Sequence, residues 1–182
     1  IPHENPQIVL PTLQPGTETS PGFVQVPSQV DEMVAALENL SLNKFYERSF
    51  IFWLSRDPER ITLLGVSSLF GNRNNQLTNL SESYIQDSEK LERSILELLQ
   101  SYNRSMMQPE EQLDFDAYLW FWQDRVNAQP FRYNSFPVQS YAATSVPDQL
   151  IDLFINHHPL NSRTDFDDYI MRINLIQKKI EQ

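Results

Sequence analysis

The stretch LDFDAYLWFWQDRVN, residues 113–127, places five large apolar or aromatic residues in a row, Tyr118, Leu119, Trp120, Phe121 and Trp122. At about 100° per residue, its apolar side chains fall into two stripes on nearly opposite sides of a helix. One stripe contains Leu113, Ala117, Trp120 and Phe121, and the other contains Phe115, Leu119, Trp122 and Val126. A helix with two apolar stripes needs neighbours on both sides, so we predict a central helix with both tryptophans buried.

Burial of each large aromatic side chain is worth roughly 2–3 kcal/mol, so the replacement of Trp120 by Ala is expected to cost roughly 3–5 kcal/mol. The alternative is that Trp120 and Trp122 share one exposed face, in which case the helix is a docking surface for a ligand or a partner.

Helical spacing of apolar residues recurs on both sides of this stretch. Between residues 28 and 104 it predicts a helix over 30–40 behind Ser28, a helix over 42–55 behind Ser41, a short helix over 57–65 and a long helix after Ser81. The short helix has three further signals, a cap at Asp57, a proline at Pro58 and a left-handed stop at Gly65. Towards the end of the chain, 147–158 and 162–182 are also expected to be helical.

These elements predict an all-α fold, an irregular bundle of about six to seven helices, because no strand pattern of comparable strength occurs. Six of the twelve prolines lie within the first 27 residues. Residues 1–27 are therefore expected to form an extended proline-rich leader, and 28–182 a single helical domain. Residues 130–146 are the longest irregular segment after the leader.

The composition excludes several classes of function. With 24 acidic and 14 basic side chains the formal net charge is −10, and no Lys/Arg run exceeds two residues, so binding to nucleic acid is disfavoured. No apolar run approaches the roughly 20 residues of a transmembrane helix. The absence of cysteine excludes disulfides, thiolate metal sites and a cysteine nucleophile.

Candidate chemical groups are few. His3, His157 and His158 lack the spacing of a helical zinc site, and the adjacent pair is expected to close a helix. The acidic stretch TDFDDY, residues 164–169, lacks the glycine and the final glutamate of a calcium loop, so its carboxylates are expected to occupy the first turn of a helix behind Ser162 or Thr164. We therefore predict no catalytic, cofactor or metal-binding residue in this chain. The candidates for lining a cleft are Arg132, Tyr133, Gln139 and Tyr141 in the irregular segment.

Three stretches resemble, in order and spacing, the N-terminal part of a large bacterial family catalogued as domain of unknown function 885. They are LSLNKFYERSFIFWLSRDPERITLLGV (40–66), MMQPEEQLDFDAYLWFW (106–122) and HHPLNSRTDFDDYIMRINLI (157–176). Members of that family are longer, mostly helical and often exported, and a later HExxH helix marks them as zinc peptidases. The family usually has Pro-Ile-Asn-Gln in the irregular segment, where this chain has Pro137, Val138, Gln139 and Ser140.

The resemblance implies a non-catalytic N-terminal scaffold that packs against a missing catalytic half, with zinc and any peptide substrate bound through that half. This chain alone is expected to be inactive. The last predicted helix reaches Gln182 with no glycine or proline stop, which also favours a longer parent protein. The family's habits and the absence of cysteine favour the bacterial cell envelope or secretion, while a cytoplasmic location stays open. The alternative hypothesis is a free-standing helical protein-interaction module.

Overall fold

The computed structural model describes residues 26, 27, 29–71, 73–134 and 145–182. All regular secondary structure within these ranges is helical, which confirms the predicted all-α fold. The α-helices are α1 (Val30–Ala35), α2 (Leu42–Ser55), α3 (Pro58–Leu63), α4 (Glu82–Gln100), α5 (Pro109–Ala128), α6 (Val146–Asp152), α7 (Arg163–Asn174) and α8 (Ile176–Ile180). Three 3-10 turns span Ser67–Phe70, Arg104–Met106 and Gln129–Asn134, and a π-helical turn spans Leu153–His157. The predicted leader lies outside the described residues, except for Val26 and Pro27.

Local capping signals place several helix ends where they were predicted. The Asp57 carboxylate accepts a hydrogen bond from the backbone N–H of Arg60 at 3.0 Å and so caps α3. Gly65 follows this helix with φ of 68°, in the left-handed region that glycine enters without a steric penalty. At the start of α7, Ser162 and Asp165 form a reciprocal capping box, so this acidic residue serves the first turn as expected.

The last predicted helix differs from the structure, because it is divided into α7 and α8 at Leu175. The N–H of Leu175 bonds to the carbonyl of Arg172, three residues back, at 3.1 Å. Such a tightened turn ends the regular α-helical hydrogen bonding. The first helix is also shorter than predicted, since α1 ends at Ala35 and Asn39 has a left-handed φ of 56°.

The main core lies where α1, α2, α4 and α5 meet. Its buried side chains are Val30, Met33, Leu37, Phe45, Phe52, Leu91, Ile95, Leu96, Leu99, Phe115 and Trp122. Edge-on aromatic contacts join two of the helices, because Trp53 of α2 meets Phe121 and Trp122 of α5 at ring-centroid distances of 5.6 and 5.9 Å. The centre of this core is therefore formed by α4 and one side of α5.

The prediction that α5 is enclosed on both sides is wrong. The stripe with Phe115 and Trp122 is 3% and 0% exposed, whereas Leu113 and Trp120 on the other stripe are 71% and 70% exposed. The physical reason is that α2 and α4 pack against the same side of α5. Within the described ranges, Leu113 and Trp120 on the other side remain mostly exposed. The predicted cost of roughly 3–5 kcal/mol for Trp120→Ala therefore no longer applies, because it assumed that Trp120 is buried.

A second group of elements packs around one fully buried cation, Arg172 of α7. Its guanidinium donates to the carbonyl of Gln76 at 2.8 Å and to the hydroxyl of Thr62 at 2.8 Å, and it lies 3.1 Å from Nδ1 of His158. Burial lowers the pKa of Arg172 to about 10, so the side chain stays charged at neutral pH. Because a guanidinium only donates, Nδ1 of His158 accepts, and the Nε2–H group donates to the carbonyl of Asp165 at 3.0 Å. Arg172 thus ties α7 to α3, to the loop before α4 and to the end of the π-helical turn.

Candidate functional site

A polar cavity of about 480 Å³ lies where the end of α2 and the start of α3 face α4 and the end of α5. The residues that define it here are Trp53, Arg56, Arg60, Tyr84, Ser88, Glu89, Glu92, Arg125, Arg132 and Tyr133. Four of these are arginines, in a chain whose net charge is −10. The cavity therefore concentrates positive charge in an otherwise acidic chain.

Glu92 of α4 is the buried acidic centre of this cavity. It forms a salt bridge with Arg125 and accepts hydrogen bonds from Nε1 of Trp53 at 3.2 Å and from Nε2 of Gln129 at 3.0 Å. The Arg125 guanidinium also lies 4.7 Å from the centroid of the Trp53 ring. These contacts fully use the carboxylate, so Glu92 holds α2, α4 and α5 together and is not a free acid or base.

Arg56 is the most enclosed arginine of the cavity, with 7% of its surface exposed. Its Nε donates to Oγ of Ser88 at 2.7 Å, and one terminal nitrogen donates to the carbonyl of Tyr84 at 3.0 Å. The Tyr84 ring lies 3.9 Å below the guanidinium carbon, and its hydroxyl donates back to the Arg56 carbonyl at 2.8 Å. Burial raises the pKa of Tyr84, so this hydroxyl stays protonated at neutral pH.

Two of the four residues predicted to line a cleft, Arg132 and Tyr133, lie at the polar cavity. Arg132 bonds to Glu89 at 2.7 Å and to Glu82, and the Tyr133 hydroxyl donates to Glu82 at 2.5 Å. The Tyr133 hydroxyl and the other donors around Glu82 hold the pKa of that carboxyl below its usual range. Both residues thus fasten the 3-10 turn after α5 to α4. The other two, Gln139 and Tyr141, lie outside the described residues.

Arg56, Trp53 and Tyr84 were not predicted as members of a cavity. Trp53 and Tyr84 have the aromatic character of core-facing helical residues, and Arg56 directly follows the last residue of α2. In the sequence, Arg56 is recognisable as a charged residue directly before the Asp57 cap. Its inward orientation depends on the packing of α4, because its partner Tyr84 lies 28 positions further along the chain.

An apolar groove of about 760 Å³ lies between α6 with its π-helical turn and the pair α7 and α8. Its lining includes Leu80, Val146, Leu150, Phe154, Tyr169 and five isoleucines, Ile151, Ile155, Ile173, Ile176 and Ile180. Two polar side chains also line it, and both are occupied. Lys179 binds Glu59 and the carbonyl of Thr78, and Oε1 of Gln182 accepts from the N–H of Leu80 at 2.8 Å. The groove therefore offers a partner almost only hydrocarbon.

The histidines of the described part do not fit a zinc site. His157 lies 3.2 Å from Asp152, and both ring nitrogens of His158 are used by Arg172 and Asp165. The pair closes the π-helical turn, as predicted for a helix end. Across residues 26–134 and 145–182, apart from Ser28 and Asn72, no three His, Cys, Asp or Glu side chains come together in a way that suits a metal ion.

Comparison of the chain with protein-family models, with curated proteins and with solved structures gives no match. In the described ranges, no helix has both the length and the apolar character needed to span a bilayer.

Proposed function

We propose that this chain is a non-catalytic helical scaffold, the N-terminal region of a bacterial zinc metallopeptidase of the family that it resembles. In this proposal the apolar groove is the surface against which the catalytic, HExxH-bearing half packs. Zinc is held by that half, which also supplies the chemistry of peptide hydrolysis, and the whole protein resides in the bacterial envelope or is secreted. The observation that carries the proposal is the apolar groove itself.

The exposure of the groove supports a packing role. Ile155 and Ile180 are 74% and 67% exposed, and they stand among other apolar side chains rather than singly. Scattered exposed leucines and isoleucines are common on soluble proteins, but a contiguous apolar concavity of this size typically marks an interface. Because Lys179 and Gln182 already bond within the chain and the rest of the lining is almost entirely apolar, the expected partner surface is apolar as well.

The position of the groove also suits a partner from the same polypeptide. Ile180 and Gln182 line the groove, so any polypeptide joined to Gln182 lies at its rim. A short connection is then enough to bring a following helix across the exposed isoleucines. A helix laid into an apolar groove through residues spaced three and four apart is a common mode of recognition.

The gene sequence downstream of the Gln182 codon tests this proposal directly. A helical continuation with HExxH is the expected result, and a stop codon there would overturn the scaffold assignment. This chain by itself is expected to show neither stoichiometric zinc binding nor peptidase activity. Zinc at one ion per chain with turnover would contradict both functions considered for it.

The role of the groove is tested in the full-length protein. The double variant Ile155→Glu/Ile180→Glu places two charges in the groove and is expected to lower peptidase activity at least about tenfold and to increase cleavage by added protease between the halves. Met106→Glu is the control, since Met106 is 79% exposed and lies outside the groove. Unchanged activity and protease resistance in the double variant would exclude the groove as the packing surface.

The second candidate function is a free-standing interaction module, and the exposed stripe of α5 favours it. Leu113 and Trp120 are exposed on α5, a helix that contributes no residue to the apolar groove. Tryptophan is enriched among residues that dominate binding energies at protein interfaces. A stop codon after Gln182, together with a partner whose binding is lost in Trp120→Ala, would favour this module over the scaffold.

A further inference from the structure

Three of the four arginines of the polar cavity pair directly with carboxylates, whereas Arg56 does not. Arg60 pairs with Asp57 at 3.3 Å, Arg132 pairs with Glu89 at 2.7 Å, and Arg125 pairs with Glu92. These pairs use the three carboxylates that line the cavity. Arg56 is the remaining cation, and among the described residues no carboxylate lies within salt-bridge distance of it.

We propose that the polar cavity binds a carboxylate group and that Arg56 is its counter-ion. A buried cation is costly unless hydrogen bonds and an opposite charge compensate for it. Ser88 and Tyr84 supply hydrogen-bond acceptors and a ring face, but both contributions are electrically neutral. An anion that enters the cavity supplies the missing charge.

One nitrogen of Arg56 is left for this anion. Nε and NH2 bond to Ser88 and Tyr84, whereas NH1 bonds to no described residue. Arg56 itself lines the cavity, so its free NH1 group is the one that an anion in the cavity is expected to meet. The Tyr84 ring at 3.9 Å holds the guanidinium plane in place, which favours a planar oxyanion at its edge.

The walls of the cavity indicate what carries the carboxylate. Trp53, Tyr84 and Tyr133 provide aromatic surface. The cavity volume of about 480 Å³ is large enough for a short peptide segment or for one aromatic side chain. The ligand class is therefore a monocarboxylate next to an apolar or aromatic group. Such a group is found at the C-terminus of a peptide and at an acidic side chain within one, and the two sources are separable by experiment. This inference does not depend on the proposed scaffold function, since the cavity and the groove share Leu80 alone.

Three peptides tested by calorimetry on the intact chain separate the possibilities. They are acetyl-Ala-Phe with a free carboxylate, the same peptide as its amide, and acetyl-Glu-Phe amide. A charge-assisted pair at Arg56 is expected to make the free acid bind at least about tenfold more tightly than its amide. Tight binding of the glutamate peptide identifies a side-chain carboxylate as a ligand, and binding of the first peptide alone identifies a C-terminus. The proposal is overturned if neither carboxylate-bearing peptide binds more tightly than the acetyl-Ala-Phe amide.

The position of the site is tested with two variants of equal charge change. Arg56→Gln is expected to reduce the affinity for the acid to that of the amide. Arg163→Gln, which removes a side chain 87% exposed on α7, is expected to leave it within about twofold. Unchanged affinity in Arg56→Gln overturns the proposal.

If Arg56→Gln does not fold, the binding site is located by the changes in backbone amide chemical shifts when the acid is added to the unaltered chain. The acid is then expected to shift the signals of Tyr84 and Ser88, and shifts confined to other surfaces count against the cavity.

Discussion

Tyr46 and Tyr118 pack edge to face with ring centroids 4.8 Å apart, yet their hydroxyl groups differ in their partners. The Tyr118 hydroxyl lies 2.8 Å from Oγ of Ser49, whereas Oη of Tyr46 is buried and has no hydrogen-bond partner among the described residues. Burial is the largest cause that raises the pKa of Tyr46 to about 12, followed by the charge of Asp114. A polar group in this state destabilises the fold, because its hydration is lost and not replaced.

Tyr46→Phe is therefore expected to keep or slightly increase stability at pH 7, by up to about 1 kcal/mol in the free energy of unfolding. The folded-state pKa lies above the unfolded value of 10.0, so the protonated tyrosine contributes stability that is complete below pH 10 and is lost as pH rises towards 12. The variant should lose less stability than the unaltered chain in that window, as measured by urea unfolding at pH 7 and pH 11.

Tyr118→Phe is the matched control for this prediction. It removes a hydroxyl that is hydrogen-bonded to Ser49, so it is expected to cost about 1 kcal/mol at pH 7. A loss of more than about 1 kcal/mol in Tyr46→Phe would show that its hydroxyl has a partner in solution.

At the scale of the element, α5 shows that an aromatic helix is not necessarily an internal one. Its sequence places apolar residues on two sides, but within the described part of the chain Trp122 on one side is buried and Trp120 on the other is exposed. Trp120 and Trp122 are two positions apart and differ from 70% to 0% in exposure. The element therefore combines a core-forming face with an exposed face that is available for contact.

The two tryptophans should respond differently to the same substitution. Trp122→Ala is expected to cost roughly 3–5 kcal/mol in the free energy of unfolding, because it removes a fully buried side chain. Trp120→Ala is expected to cost less than about 1 kcal/mol. Denaturant unfolding followed by circular dichroism measures both values, and similar costs for the two variants would contradict the one-sided packing of α5.

At the scale of the whole molecule, polar contacts join the C-terminal helices to the rest. Arg172 bonds across to α3 and to the loop before α4, and Lys179 of α8 pairs with Glu59 of α3. Both contacts link residues about a hundred positions apart, so they depend on the assembled fold. They also position α7 and α8 as one wall of the apolar groove.

Arg172→Met is expected to destabilise the protein by at least about 3 kcal/mol, since the Gln76 carbonyl, Thr62 and His158 would all lose a buried donor. Arg163→Ala on the same helix is the control, with an expected cost below about 0.5 kcal/mol because its pair with Asp167 is exposed. Thermal and urea unfolding measure both. A cost below about 1 kcal/mol for Arg172→Met would mean that other contacts hold α7 in place.

The sequence by itself determined the helical class and most helix ends, because spacing, caps and stops act within a few residues. Asp57, Gly65 and the Ser162 capping box show this for α3 and α7. It also suggested Arg132 and Tyr133 as cleft-lining residues, and both lie at the candidate cavity, while their role towards a ligand stays a prediction. Only the tertiary structure decided which stripe of α5 is buried, where Arg56 lies and that the isoleucines of four helical elements form one groove. The physical reason is that burial and charge pairing depend on neighbours from distant parts of the chain, which local periodicity does not specify.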